Sequence, residues 1–162
     1  MRKRTLVLLG LACVAAMTLN GLGQQSANQP LADEVIAMVK AQWAAEMKDP
    51  TNVAEQMKNI ADDYTEFNGD YATRLEGKAL SMRLAEAGAG SSTKSVAGEM
   101  ANPKVQVYNG DVAILSYNYV GLLKDKDGKT EPSRAKSTRV YVKQNGKWML
   151  VHANFAPDPL PK

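Results

Sequence analysis

The apolar residues in the first third of the chain recur with the spacing of an α-helix. Four of them stand four residues apart and form one stripe: Val35, Val39, Trp43 and Met47. Such a stripe is typical of a helix that packs one side against a core. Asp49 and Pro50 then suit the N-cap and the first position of a new helix. Because the apolar spacing continues, we expect a second helix over Val53, Met57 and Ile60.

The segment that follows is mostly strand-like. Residues 63–77 contain an Asn-Gly turn between two short extended pieces, and "KALSMRLAEAG" favours a third short helix that a glycine closes. From residue 94 onward the pattern changes to alternation, with four strand-like runs between turn dipeptides. These dipeptides are Asn109-Gly110, Asp127-Gly128 and Asn145-Gly146. Helices first and antiparallel strands last predict an α+β domain.

Both faces of the predicted sheet carry apolar side chains. On the run 111–123, one side holds Val112, Ile114, Val120 and Leu122, and the other holds Ala113, Leu115, Tyr117 and Tyr119. A sheet with one solvated side would alternate apolar and polar residues instead. Since the predicted helices can cover only one face, we expect the other to pair with a second copy in a two-fold homodimer. The alternative is that the C-terminal tail folds back over this face.

The N-terminus has the three parts of an export signal. "MRKR" supplies a positive start, an apolar run follows, and small residues lead to a cut near Gly23. The apolar run is short for a membrane span, which needs about 20 apolar residues, and no later segment resembles one. The expected organisation is a signal peptide over 1–23, a linker over 24–32, one domain over 33–157 and a tail over 158–162. The mature protein would then be periplasmic or secreted.

A lipoprotein signal is the alternative reading of this segment, because Cys13 lies in the apolar run. The residues before it, "GLA", lack the usual aliphatic residue three positions upstream, and the apolar run continues past the cysteine. These two departures favour a cleaved signal without lipid.

Removal of the signal changes the charge and the cysteine content. The whole chain has 20 basic and 17 acidic residues, and Arg2, Lys3 and Arg4 leave with the signal, so the mature part has 17 of each. A balanced charge gives no electrostatic footprint for nucleic acid. Cleavage also removes the only cysteine, so we expect no disulfide, thiol nucleophile or cysteine metal site.

The only histidine, His152, is placed relative to Arg139 by hairpin geometry. If Asn145-Gly146 forms a two-residue hairpin, regular pairing puts Arg139 opposite His152 and Ser137 opposite Asn154. The predicted apolar side of these strands holds Val140, Val142, Met149, Val151 and Phe155. The other side carries the polar cluster.

An arginine beside a histidine is costly in an apolar core, but it suits the wall of a pocket. A neutral imidazole there is a base or a hydrogen-bond partner, which makes His152 a candidate catalytic residue. The alternative is structural: Arg139 pairs with a carboxylate, and His152 hydrogen-bonds within the sheet.

Several stretches together resemble the nuclear transport factor 2-like superfamily. They are the two helical stripes, "YTEFNGD…RLEGKAL", "NGDVAILSYNYVG" and "STRVYVKQNGKWMLVHANF", over about residues 33–157. Within it, the chain resembles SnoaL-like members and the association domain of calcium/calmodulin-dependent kinase II. Kinase-linked relatives usually carry an arginine at the position of Tyr119 and a histidine at that of Asn154.

The resemblance implies a cone-shaped, curved antiparallel sheet wrapped around N-terminal helices, with a pocket inside the cone. The same scaffold serves isomerases, dehydratases, cyclases and oligomerisation modules. The candidate ligand-binding residues are Trp43, Tyr64, Tyr117, Tyr119, Arg139, His152 and Asn154. We expect an exported protein that binds a small organic ligand without metal or cofactor. The expectation extends to isomerase- or dehydratase-like acid–base chemistry on that ligand. The alternative is a non-catalytic interaction or oligomerisation module of the cell envelope.

Overall fold

The structure is a computed structural model that describes residues 28–158, so the predicted signal peptide and most of the tail lie outside the described residues. Within this range the helices are α1 (28–48), α2 (Val53–Gln56) and α3 (Lys78–Ala89). The strands are β1 (Ile60–Asn68), β2 (Leu75–Glu76), β3 (Lys94–Tyr108), β4 (Val112–Lys124), β5 (Thr130–Gln144) and β6 (Lys147–Pro157). The domain is α+β, as predicted. None of the helices in the described range is long and apolar enough to cross a membrane.

Helix α1 presents the predicted stripe to the sheet. Val35 and Val39 are fully buried and Trp43 is half-buried, whereas Met47 in the last turn is 38% exposed. The helix includes residues 28–32, which the sequence pattern had assigned to the linker. It ends before Pro50, because the residue preceding a proline disfavours the helical conformation.

The predicted second helix is a single turn, and the prediction of helix through Ile60 is wrong. The N-cap of α2 is Asn52, whose Oδ1 accepts a hydrogen bond from the Glu55 amide at 3.2 Å. Ile60 instead begins β1, and the amide of Leu150 on β6 donates to the carbonyl of Asn59 at 2.7 Å. Pairing with a distant strand therefore overrides the helical spacing of the apolar residues.

The strands form one open six-stranded sheet in the order β2-β1-β6-β5-β4-β3. Neighbouring strands are antiparallel except β1 and β6, which run parallel. The predicted curved antiparallel sheet is therefore a mixed sheet, because β1 joins β6 in parallel. The Asn-Gly hairpins form as predicted: Asn109 and Asn145 have φ values of 51° and 52°, and each precedes a glycine with φ of 78°.

Strand β6 contains one extra residue relative to β5, the strand with which it pairs. Tyr141 pairs with Leu150, but Val140 pairs with His152, so Val151 has no partner on β5. This β-bulge reverses the alternation of side chains along the rest of β6. The β6 side chains that face α1 are Trp148, Leu150, Ala153 and Phe155.

The core lies between α1 and the inner face of the sheet, by which we mean the face that α1 covers. Its buried members on the central strands are Ala113, Leu115, Tyr117, Tyr141, Trp148, Leu150 and Ala153. Irregular pairing at two points of β3 and at the bulge of β6 bends the sheet around the helix. This arrangement agrees with the predicted cone-like fold.

Candidate functional site

A cavity of about 270 Å³ opens between the C-terminal half of α1 and the inner face of the sheet. We call it the central cavity. Its aromatic lining consists of Trp43, Tyr117, Tyr119 and Phe155, and its polar lining includes Glu46, Ser95, Ser137 and Arg139. Arg139 and Ser137 are buried, whereas Glu46 and Met47 are exposed, so the cavity is open beside the last turn of α1.

Arg139 lies deep in the central cavity. It is 8% exposed and stands on β5 opposite Leu115 of β4 and Ala153 of β6. Its guanidinium carbon lies 5.7 Å from the ring centre of Tyr117 and 5.3 Å from that of Phe155. Cations favour such positions over aromatic rings.

The guanidinium of Arg139 has few polar partners. Its Nη1 donates to Oε1 of Gln42 at 3.5 Å, which is the outer limit of a hydrogen bond. Among residues 28–158 no carboxylate forms a salt bridge with it. A buried charge is normally paired with an opposite charge. This arginine is therefore suited to an anionic partner from outside the chain.

Three successive inward residues of β5 each carry a buried polar atom without a hydrogen-bond partner. In the described part of the chain these atoms are Oγ of Ser137, Nε of Arg139 and Oη of Tyr141. Leaving a buried polar atom unpaired costs about 1–3 kcal/mol. Their concentration on one strand beside one cavity points to a binding surface.

The aromatic side chains form a cluster on one wall of the cavity. The ring of Trp43 lies 5.6 Å from that of Tyr117, and it meets the ring of Tyr119 edge-on at 5.3 Å. The hydroxyl of Tyr119 lies 3.2 Å from Oγ of Ser95. This wall offers an apolar surface whose aromatic rings carry polar tips.

The surroundings of the cavity perturb several ionisable groups. Burial raises the pKa of the Glu46 carboxyl, although the positive charge of Arg139 opposes the change. Glu46 as a residue is exposed, so only part of its side chain is screened from water. Burial also raises the pKa of the Tyr141 hydroxyl, against the opposing charge of Arg139. The pKa of Tyr64 is raised by burial and by its hydrogen bond to Oε2 of Glu66, at 2.6 Å.

His152 and Asn154 lie on the other face of the sheet, and the predicted direct pairing of Arg139 with His152 is wrong. The bulge at Val151 shifts the register by one, so His152 pairs with Val140 and Asn154 with Thr138. A one-residue shift moves side chains to the opposite face. By the same shift, Phe155 enters the central cavity instead of the outer face.

On the outer face, the side chain of His152 contacts residues of the neighbouring strand β1. Its Nδ1 lies 2.8 Å from Oγ1 of Thr65, and its ring meets that of Phe67 edge-on at 6.1 Å. The neighbouring strand β1 supplies both contacts, because Thr65 pairs with His152 in the parallel ladder. Asn154 is exposed.

Of the predicted site residues, the structure brings Trp43, Tyr117, Tyr119 and Arg139 together in the central cavity. Tyr64 is buried in the adjoining core.

Sequence reasoning missed Glu46, although it stands three residues after Trp43 and therefore on the same side of α1. Within residues 28–158 no group of three or more His, Cys, Asp or Glu side chains is placed to hold a metal ion.

The sequence profile of the calcium/calmodulin dependent protein kinase II association domain matches residues 32–159. The calcium/calmodulin-dependent protein kinase type II of Caenorhabditis briggsae is 27% identical over 70 residues, which are 43% of this chain and 13% of that kinase. The chain therefore spans only a small part of the length of the kinases that it matches.

Solved structures agree with this fold. The association domain of the Caenorhabditis elegans kinase has a TM-score of 0.67 at 15% identity, covering 81% of this chain and 98% of that domain. The kinase hub homology domain of Chlamydomonas reinhardtii has a TM-score of 0.66 at 20% identity, with 80% and 98% covered. A nuclear transport factor 2-like superfamily protein from Salmonella enterica gives 0.64 at 13%, with 82% and 95% covered. The chain therefore belongs to the calcium/calmodulin-dependent protein kinase II association domain family, and its fold is that of nuclear transport factor 2-like proteins.

Proposed function

We propose that this chain binds a small organic molecule in the central cavity, and that the molecule joins a carboxylate to an apolar part. The observation that carries the proposal is Arg139, a buried cation without a carboxylate partner among the described residues. A planar guanidinium is well suited to a carboxylate, because it donates two parallel hydrogen bonds. The free Oγ of Ser137 stands one inward position away and adds a further donor.

The apolar part of the ligand is supported by the rest of the lining. Trp43, Tyr117 and Phe155 surround the space in front of the guanidinium. Ligand cavities usually combine such an apolar wall with a small number of fixed polar groups. The volume of about 270 Å³ suits a molecule of metabolite size.

A thermal-shift and calorimetric screen tests the proposal, using small aliphatic and aromatic carboxylates against their uncharged amides. At about 100 times Kd a carboxylate should add about 2.7 kcal/mol of stability, or roughly 5–10 °C in Tm. Arg139→Met should weaken binding about thirtyfold or more, since a buried charge pair is lost.

His152→Ala is the matched control, because this side chain lies on the other face of the sheet. Equal binding of acids and amides to the wild type would contradict the proposal. So would an Arg139→Met variant that folds and binds carboxylates as the wild type does.

Acid–base chemistry on the bound molecule stays a prediction, but the residue expected to act as the base is now Glu46 instead of His152. His152 does not reach the central cavity, whereas Glu46 lines it and has a raised pKa. An isomerase- or dehydratase-like reaction would thus use Glu46 as its base. Glu46→Gln should abolish turnover of any substrate found in the screen and leave its binding measurable.

Self-association is a second candidate function, and a specific surface favours it. On the outer face of the sheet six apolar side chains stay partly exposed: Val112, Ile114, Val140, Val142, Met149 and Val151. We call them the outer patch. A contiguous apolar patch on a folded domain favours a partner, and the matched family is named for association. We propose that a second copy of this chain covers it.

Export of the protein also stays a prediction. The basic start, the apolar run and the small residues before Gly23 support it.

A further inference from the structure

The charges of the central cavity are arranged by depth. The cation, Arg139, is 8% exposed and lies with the buried Ser137 and Tyr117 on the sheet. The anion, Glu46, stands at the exposed end of α1 beside Met47. A second cavity of about 340 Å³, between α1, α3 and the start of β3, shares Glu46, Met47 and Ser95 with the first. Glu46 therefore faces any molecule that extends outward from Arg139.

The Glu46 carboxylate is available for a cation. Among the described residues it forms no salt bridge, either with Arg139 or with Lys94, which lines the second cavity. Arg139 is close enough to affect its titration, but burial has the larger effect and raises the pKa. A partly screened carboxylate of this kind gains from a cationic partner.

The aromatic wall adds a second feature that suits a cation. Trp43 stands one helical turn before Glu46 on α1, and its ring contacts those of Tyr117 and Tyr119. The faces of indole and phenol rings attract ammonium groups. An ammonium group at this end of the cavity would thus meet both a carboxylate and aromatic rings.

We infer that the ligand of the central cavity is a zwitterion, an amino acid whose carboxylate binds Arg139 and whose ammonium group binds Glu46 against the aromatic wall. This inference rests on the proposed carboxylate-binding function and names the class of ligand. A simple fatty acid would offer no cation to Glu46, and its carboxylate would be repelled by that of Glu46. The two opposite charges at the two depths of the cavity therefore select for an amino group on the far end of the ligand.

The test compares ω-amino acids of increasing chain length, each with the fatty acid of the same carbon number, by calorimetry on the mature chain. In the wild type the best amino acid should bind about tenfold more tightly than its fatty acid. Glu46→Gln should reverse this order, because it removes the partner of the ammonium group and the repulsion of the fatty acid. A change in fold or packing alone would weaken both series together.

Glu86→Gln is the matched control, since it removes the same charge from an exposed position on α3. It should leave the preference unchanged. Arg139→Met should weaken both series.

The outcomes separate the two proposals. If fatty acids bind the wild type at least as tightly as amino acids, and Glu46→Gln keeps that order, the zwitterion is excluded and the carboxylate function stands. If neither series binds and other carboxylates also fail, both proposals are wrong.

Discussion

At the scale of single residues, the inner side of β5 concentrates buried polar atoms that have no hydrogen-bond partner. Ser137, Arg139 and Tyr141 each have a buried polar atom without a partner in the described part of the chain. A fold selected for stability alone would place apolar side chains there. Local departures of this kind are expected at functional sites, where binding compensates for lost stability.

Two tyrosine hydroxyls on the inner face should respond in opposite ways to removal. Tyr64→Phe deletes a hydroxyl that donates to Glu66, so it should lower the free energy of unfolding by about 1–2 kcal/mol. Tyr141→Phe deletes a hydroxyl that lies beside the Arg139 guanidinium but has no partner within hydrogen-bond distance, and it should be neutral or stabilising by up to about 1 kcal/mol. Urea unfolding of the two variants checks this pair. Equal losses in both would contradict the assignment of their hydroxyls.

The same tyrosines predict a loss of stability in alkali. Burial raises the pKa of Tyr64 and of Tyr141 in the folded state above the value of about 10 in an unfolded chain. The folded protein thus holds these protons more tightly. The contribution of these two protonated hydroxyls to the free energy of unfolding is complete below about pH 10. It is lost as the pH rises further.

Unfolding free energies at about pH 9 and about pH 11 measure this loss. The Tyr64→Phe/Tyr141→Phe double variant is the control, because it lacks both titrating groups and should lose less stability. An equal loss in wild type and double variant would show that other groups cause the alkaline unfolding.

At the scale of elements, two paired glycines on β3 and β4, Gly98 and Gly121, leave room for the ring of Tyr119. A Cβ atom on Gly98 would lie 2.9 Å from the Tyr119 ring. A Cβ atom on Gly121 would lie 2.7 Å from the carbonyl oxygen of Ala97, and it would also strike the Tyr119 ring. The glycines therefore set the position of Tyr119 on the cavity wall.

Gly121→Ala should destabilise the protein by roughly 1–3 kcal/mol, because the backbone oxygen of Ala97 cannot move aside as a side chain can. Gly88→Ala is the matched control, since it lies within α3 and a Cβ there meets nothing within 4 Å. It should add about 0.5–1 kcal/mol through helix propensity. Thermal melts that shift in the same direction for both variants would contradict this account.

Local patterns predicted most elements, and the remaining errors come from long-range pairing. The Asn-Gly turns define their own geometry through positive φ angles, so the β3–β4 and β5–β6 hairpins were predictable. The helical spacing of Val53 and Ile60 was misleading, because contact with β6 decides the conformation at Ile60. The bulge at Val151 has no local signal, since valine is an ordinary strand residue. That one unpaired residue explains why Arg139 was predicted with His152.

At the scale of the whole molecule, the outer patch leaves one side of the sheet without cover in the described range. We expect the protein to have twice the mass of one chain in light scattering at micromolar concentration. Val140→Lys should shift it to a monomer, because Val140 pairs with Ile114 and His152 in the middle of the patch.

Val96→Lys is the control for the charge change, since Val96 is 45% exposed on β3 and lies outside the patch. It should remain dimeric. A wild type with the mass of one chain would exclude the homodimer.

The export prediction concerns the part of the chain before α1. N-terminal sequencing of the protein made in a bacterial host should find a start close to Gly23. An intact Met1 would contradict export, and a start at Cys13 would identify a lipoprotein.

The unpaired Val151 has a consequence for aligning this family. Successive residues of β5 pair with Leu150 and with His152, and Val151 is skipped, so a relative that lacks this residue would still direct its matching side chains into the cavity. Such a relative aligns with this chain only through a one-residue gap at Val151. Without that gap, the counterpart of Phe155 would be matched to a residue of the outer face, and a ligand contact would be read as a surface position. Alignments of β6 should therefore be anchored separately at Trp148 and at Phe155.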